Sequence, residues 1–320
     1  MEKKINFFDF SDINIDMKNP RDKSRCFCEA VNKVIIPTQE HKSHIERLHA
    51  VIKRSFDATG RREMRVNYMD SIYRCTVMPA GSGIVMCRKQ PMVAYELSDL
   101  DIPEKIKEFV LDQRLSSGGL ILVVGANGVG KTTTCVAMAK ERIAKFGGLL
   151  LTIEDPIELS MAGDIGDGYC VQCEVNSDKE LAEVGKLALR CFPTKKSGVL
   201  FIGEIRDAEM ATLALRASQN GLLVIATIHA FQIEAALRRI VDLASDKISE
   251  EMARSLLCDG FRLGLHQKKL EKNRLDLEFL LDTPITAGII SKGAFEQLGS
   301  EIYSQKMKVL NNGFPTTRTF

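Results

Sequence analysis

No run in the 320-residue chain approaches the roughly 18 to 20 consecutive apolar residues that a membrane-spanning helix requires; the longest, such as Leu222 to Ile228, fall far short. A spanning helix is excluded, although docking onto a membrane complex is not. The chain also lacks charge of one dominant sign. Its 44 basic and 42 acidic side chains leave a formal charge of +2, so no overall field draws it onto nucleic acid or an anionic bilayer. There is no internal repeat, no low-complexity tract and no charged-then-apolar leader. The nine cysteines are odd in number and form no paired framework, which suits reduced thiols in the cytoplasm. Cys170 and Cys173 form a lone C-x-x-C and Cys26 and Cys28 a C-x-C, but a closed zinc site calls for two such clusters at suitable spacing.

The length points to two domains. Up to about Gln113 the chain mixes one helical pattern with short alternating segments. Ile45, Leu48, Val51 and Ile52 recur at helical spacing and predict an amphipathic helix over 40–56. Arg65 to Met69, Ile72 to Met78 and Gly83 to Arg88 read as strands separated by turns that include Pro79-Ala80-Gly81. A helix with proline in its first turn is expected over 102–111, and the polar, glycine-bearing stretch 114–119 is expected to be a hinge. The first domain is thus 1–113 and the second 120–320. In the second, Leu120 to Val124, Leu149 to Ile153, Val199 to Ile202 and Leu222 to Thr227 are apolar on both faces, as a covered parallel sheet demands. The class is α/β. The tail from Ile233 onward reads as a helical region, with Ala235, Leu237, Ile240, Val241 and Leu243 on one stripe.

Gly125-Ala126-Asn127-Gly128-Val129-Gly130-Lys131-Thr132 satisfies G-x-x-x-x-G-K-[ST] between an apolar strand and a helical run, the context in which that pattern has physical meaning. Glycines let backbone N–H groups converge on phosphate oxygens, and the helix beginning near Lys131 turns its positive end toward them. Lys131 neutralises β/γ charge. Thr132 supplies a hydroxyl to Mg²⁺, which keeps most of its waters and takes few protein ligands; Thr133, counted with the cradle, and Thr134 stand behind it or serve as ordinary helix residues. The ligand read from this loop is MgATP.

Hydrolysis further needs a group to orient or deprotonate water, commonly a carboxylate at the end of a neighbouring strand. Two segments supply one. Leu150-Leu151-Thr152-Ile153-Glu154-Asp155-Pro156 ends an apolar run in acids, placing Glu154 at a sheet crevice. Val199-Leu200-Phe201-Ile202-Gly203-Glu204 resembles a Walker B strand tipped by Glu204, the leading candidate for activating water or orienting magnesium. Arg206 and Asp207 read as a structural ion pair or an inter-subunit contact. A third strand ends in His229, a candidate sensor of the γ-phosphate or water.

In series, GANGVGKTTT, LLLTIEDPIE, VLFIGEIRD and GLLVIATIHA resemble the Walker A, aspartate box, atypical Walker B and histidine box of the secretion ATPases of type II secretion, type IV pili and conjugation systems. The likeness extends through Arg239-Ile240-Val241-Asp242 and covers nearly the whole chain, weakly before Arg65. Without the long N-terminal extension of pilus-extension and type II secretion motors, the chain resembles PilT-type retraction ATPases first and DotB-like type IVB secretion ATPases second. The resemblance implies a PAS-like first domain, a RecA-like second domain with a helical C-terminal region, and a homohexameric ring with ATP between the domains. It further implies an inner-membrane pilus or secretion platform as partner, and a cytoplasmic protein peripherally associated with that membrane. Arg65 and Arg88 match arginine-bearing positions that bring positive charge to the phosphate, with Arg74 a third candidate. Two departures stand out: Leu189 to Gly198 lacks the family's Pro-Asp pair, and Ala230-Phe231 follows His229 in place of hydroxyl or amide residues. Two rival readings remain: a RecA-like nucleic-acid motor, disfavoured because no basic aromatic-bearing loop is present, and a nucleotide-gated scaffold without turnover.

Overall fold

Alternating burial marks most strands of the first unit, and unbroken burial marks the central strands of the second. The computed structural model describes residues 6–28, 32–69, 71–79, 83–90, 95–175, 178–192, 198–270 and 275–318. The chain divides into compact units spanning Met1–Val93 and Ala94–Phe320.

In the first unit β1 (Asp12–Asp16), β2 (Arg25–Cys28), β3 (Lys33–Ile35), β4 (Glu63–Tyr68), β5 (Ser71–Met78) and β6 (Ile84–Gln90) form an antiparallel sheet in the order β3-β2-β1-β6-β5-β4. The short α1 (Pro20–Lys23) and the long α2 (Gln39–Thr59) complete it. The Thr38 hydroxyl caps α2 by accepting from the His41 N–H, and Gly60 ends it in the left-handed region at φ 67°, where a Cβ would be strained. Ile45, Leu48 and Ile52 from α2 share a core with Ile13, Ile15, Val66, Tyr73 and Val85 from the sheet. The helix and three strands expected here are present; β1, β2 and β3 are additional. Ala80 and Gly81 of the expected turn lie outside the described residues.

The second unit opens with α3 (Glu104–Val110) and contains an eight-stranded sheet in the order β14-β13-β7-β12-β11-β8-β10-β9. Its strands are β7 (Gly119–Val124), β8 (Gly148–Glu154), β9 (Gly163–Ile165), β10 (Gly168–Glu174), β11 (Gly198–Ile202), β12 (Leu222–Ile228), β13 (Phe261–Lys269) and β14 (Leu275–Leu281). β13, β7, β12, β11, β8 and β10 are mutually parallel, with β14 and β9 antiparallel at the edges. Every residue of β7, β11 and β12 is buried. Alternate residues of β7 therefore enter two cores: Leu120, Leu122 and Val124 pack with α6 (Ala208–Gln219), α7 (Ile233–Ala244) and α8 (Glu250–Gly260). Ile121 and Val123 pack with α3 and α4 (Lys131–Phe146). α5 (Asp178–Cys191), α9 (Pro284–Lys292) and α10 (Leu298–Leu310) complete the layers.

Three expectations need correction. Leu97, Ile102, Ile106, Phe109 and Leu115 share the core of Ile121 and Val123, so residues 94–113 belong to the second unit. The expected hinge at 114–119 lies wholly inside it, as a 3₁₀ turn at Gln113–Ser117 followed by the start of β7. Buried Arg142 fastens this segment, donating to the Val110 carbonyl at 2.5 Å, the Asp112 carbonyl at 3.0 Å and the Ser116 hydroxyl at 3.3 Å. The tail, expected to be helical, also contributes β13 and β14. Polar Arg262 and Gln267 interrupt their apolar pattern, and both are buried through tertiary partners.

Candidate nucleotide site

The loop after β7 turns at glycines that no other residue would serve. A Cβ on Gly125, at φ 153°, would lie 2.5 Å from the Gln267 carbonyl oxygen. Gly130 stands at φ 93° as the N-cap of α4 and offers no side-chain cap, so the first turn of a 16-residue helix keeps its N–H groups for an anion. Ala126, Asn127 and Gly128 are exposed and Val129 is half-buried. Lys131 is buried, and its Nζ donates to the carbonyls of Gly125 at 3.0 Å and Ala126 at 2.8 Å. Burial lowers the Lys131 pKa, and the Glu204 charge opposes that shift. Thr132 and Thr133 are half-buried at the start of α4. Thr134 is fully buried, and its hydroxyl accepts from Gln267 Nε2 at 2.8 Å, which makes it a strut between α4 and β13.

Glu154, Glu204 and His229 stand at the carboxyl ends of β8, β11 and β12, three adjacent parallel strands of the region where open α/β sheets bind ligands. The strand tips are cross-tied beyond their ladders: the Gly203 N–H donates to the Ile153 carbonyl at 2.9 Å, the Ile205 N–H to the Thr227 carbonyl at 2.8 Å, and the Thr227 hydroxyl to the Gly203 carbonyl. Glu204 Oε1 lies 3.4 Å from His229 Nε2, and each His229 ring nitrogen lies 3.5 Å from Lys131 Nζ. Burial, then Lys131, lower the His229 pKa, with Glu204 opposing. The Arg239 guanidinium donates to the His229 carbonyl at 3.1 Å. Glu154 is buried; its Oε1 accepts from the Thr152 hydroxyl at 2.6 Å and from Gln172 Nε2 at 3.0 Å, while Oε2 has no hydrogen-bond partner. Arg206 pairs with Asp155 at 2.6 Å and more distantly with Asp207 at 3.9 Å, and Asp207 caps α6 through the Met210 N–H.

This donor set fits a magnesium triphosphate. An uncapped helix start and a buried ammonium suit phosphate oxygens, and the Thr132 hydroxyl with one carboxylate suits a cation that retains its waters. The structure brings Lys131, His229 and Glu204 together, with Glu154 on an adjacent strand; Gln172, Thr152, Gln267 and Arg239, which hold Glu154, Thr134 and His229, carry no functional signal in the sequence. Only strand register reveals Gln172 and Thr152, which lie opposite each other across β10 and β8.

In the first unit the three candidate arginines form one cross-strand row. Arg65 is opposite Arg74, Arg74 opposite Arg88, and Arg88 opposite Asp12. Arg88 bonds Asp12 at 2.8 Å and Arg74 approaches Glu63 at 3.7 Å, whereas the buried Nε of Arg65 has no partner. Of the divergent segments, residues 193–197 lie outside the described residues; Phe231 is 87% exposed.

The second unit is a RecA-like P-loop domain, preceded in the chain by a smaller α/β unit. Residues 45–259 match the family model described as Type II/IV secretion system protein, and the chain belongs to that family. Among curated relatives it is 33% identical over 208 residues to the type IV pilus ATPase PilU of Pseudomonas aeruginosa, an alignment covering 63% of this chain and 52% of PilU; it thus spans about half the length of that relative. Among solved structures it resembles the pilus retraction motor PilT with bound ADP, at a TM-score of 0.75 and 25% identity over 96% of this chain and 91% of that one. The Legionella pneumophila ATPase DotB shares the fold at a TM-score of 0.70 and 21% identity, over 96% of this chain and 89% of DotB.

Proposed function

We propose that this chain hydrolyses MgATP and converts the reaction into movement of a type IV pilus, in the direction of retraction. The observation that carries this reading is the convergence of Lys131, His229 and Glu204, with Glu154 nearby in the sheet, on the crevice behind the glycine loop. The backbone of 125–133 and the Lys131 ammonium bind the phosphates. Thr132 and Glu204 would hold Mg²⁺, which supplies charge neutralisation at the phosphate oxygens. Glu204 and Glu154 orient a water whose oxygen bonds to the γ-phosphorus as the bond to the bridging oxygen breaks. ADP leaves and a carboxylate takes the water's proton. His229 senses the terminal phosphate, and Arg65 and Arg88 offset the charge that develops there. The working species is a homohexamer acting in the cytoplasm on an inner-membrane pilus platform protein.

The decisive experiment is phosphate release by purified Glu204→Gln. Retained nucleotide affinity with turnover reduced at least about 100-fold supports the assignment; unchanged turnover overturns it. Wild-type turnover no faster than that of Lys131→Ala indicates a nucleotide-gated scaffold instead. Stimulation by single-stranded DNA that falls steeply with salt indicates a nucleic-acid motor. Deleting the gene distinguishes direction and system: excess immobile pili mark retraction, bald cells mark extension, and unaltered pili with failed export mark a secretion or conjugation role.

A further inference from the structure

Gln172 is a half-buried junction whose four hydrogen-bonding positions are all used. Its Nε2 donates to Glu154 Oε1 at 3.0 Å and to the Leu159 carbonyl at 2.9 Å. Its Oε1 accepts from the N–H groups of Met161 at 2.6 Å and Ala162 at 3.0 Å. An amide has two donors and two acceptor lone pairs, so nothing is spare. The orientation is also unique: with nitrogen and oxygen exchanged, two donors would face the Met161 and Ala162 N–H groups, and an acceptor would face a carboxylate and a carbonyl.

The consequence falls on Glu154. Thr152 and Gln172 both bond Oε1, whereas Oε2 is buried without a partner. A free carboxylate rotates, and either oxygen serves. Here two donors from two strands hold Oε1 at hydrogen-bond distance, with the Glu158 backbone N–H a smaller influence on the group, and Oε2 is left to take a ligand. Thr152 alone shares a strand with Glu154 and moves with it. Gln172 comes from the neighbouring strand and simultaneously grips residues 159–162, so it couples the carboxylate's orientation to the loop that follows β8. We propose that Gln172 is a positioning residue for ATP hydrolysis, fixing Glu154 so that Oε2 alone addresses the reacting water. This rests on the role proposed above for Glu154.

The electrostatics supply a readout that simple packing would not move. Burial raises the Glu154 pKa; the Thr152 hydroxyl, the Gln172 amide and the Glu158 backbone N–H each pull it back, and the Glu158 charge raises it further. The other titratable groups within electrostatic reach are Cys135 on α4 and Cys170 on β10, whose thiols burial raises above their usual range. Removing the Gln172 donor takes away one stabiliser of the carboxylate. The Glu154 pKa then rises, and the acid limb of the rate profile moves to higher pH.

The test is single-turnover phosphate release against pH for the wild type, Gln172→Met, Gln172→Glu and Glu154→Gln, with nucleotide affinity and melting temperature measured alongside. Loss of a hydrogen bond to a charged group should move the acid limb of Gln172→Met upward by about one to two pH units. Gln172→Glu, which keeps the volume but sets a second carboxylate against the first, should move it further. Affinity for ATP should change little. If Glu154→Gln abolishes the limb while both Gln172 variants leave it at its wild-type position, Gln172 is only structural and the proposal falls. If Glu154→Gln keeps the wild-type rate and profile, the underlying role of Glu154 falls first. Should Gln172→Met fail to fold, Gln172→Glu decides the matter alone.

Discussion

Lys131 Nζ lies 3.5 Å from both ring nitrogens of His229, so the ammonium at the base of the phosphate loop stands against the edge of an imidazole carried by another strand. Burial and that ammonium hold the ring below the usual histidine range, and a neutral ring is what this position tolerates beside a cation. Glu204 Oε1 lies 3.4 Å from the same ring's Nε2. Replacing His229 should disturb chemistry more than binding. His229→Leu should keep ATP affinity within about threefold while lowering phosphate release roughly 100-fold, the usual effect of removing one positioned acid–base group. Titration with a fluorescent nucleotide, paired with the release assay, separates the two. Equal losses in both would mean that His229 serves only to place Lys131.

Gly203 leaves the room that Glu154 occupies. A Cβ there would sit 3.3 Å from both Cα and Cγ of Glu154, tighter than ordinary packing, and the strand ends on either side are tied by hydrogen bonds that resist yielding. Gly203→Ala should therefore push Glu154 away from its Thr152 and Gln172 donors. The expected result is a stability loss of about 1–3 kcal/mol by overpacking, read from urea denaturation, with turnover falling more than tenfold while ATP still binds. A variant as stable and as active as the wild type would show that the strand tips have room to spare.

The elements readable from sequence share one property, that their cause is local. The glycine–lysine spacing of 125–132 and the doubly buried runs of β7, β8, β11 and β12 need no knowledge of distant residues. What escaped depends on partners far along the chain. β13 reads poorly as a strand because Arg262 and Gln267 sit within it, and their burial is made tolerable by partners that include Asp282 and the Asp259 and Phe261 carbonyls for Arg262 and Thr134 for Gln267. The segment at 114–119 looks like a hinge because it is polar and glycine-bearing, yet Arg142 from α4 and the core contacts of Leu115 hold it fast. Gln172 carries no signal at all until register sets it beside Thr152 and Glu154.

Asp282 predicts how stability follows pH. It is buried between two guanidiniums, accepting from Arg318 Nε at 2.7 Å and lying 3.5 Å from Arg262. Burial nevertheless outweighs them and raises its carboxyl to about 6. The folded chain then binds a proton at Asp282 between about pH 4 and 6, where the unfolded chain has released it, so this group's contribution falls as pH rises through that window. Asp282→Asn should abolish that slope. It should also cost about 3 kcal/mol near neutral pH, since Arg262 remains buried without its counter-charge. Thermal melts at several pH values measure both effects, and an unaltered slope would assign the titration to another group.

The arginine row supplies the last prediction. Like charges directly opposite across a sheet destabilise it, yet Arg65, Arg74 and Arg88 stand side by side, and Asp12 and Glu63 neutralise only part of them. Such a row suits an anion better than it suits the sheet. Arg88 is the member whose loss the fold should least notice, because its side chain is 73% exposed and its single ion pair lies at the surface, where such pairs contribute about 0–1 kcal/mol. Arg88→Gln should leave the melting temperature within about two degrees and lower ATP turnover more than tenfold if the row meets the terminal phosphate, as an arginine does in related phosphoryl-transfer chemistry. Arg74→Thr, by thinning the repulsion, should hold or raise stability by a few tenths of a kcal/mol. Turnover unaffected by Arg88→Gln and by Arg65→Gln would remove the arginines from the reaction and leave the row as a costly feature of the sheet without a catalytic purpose.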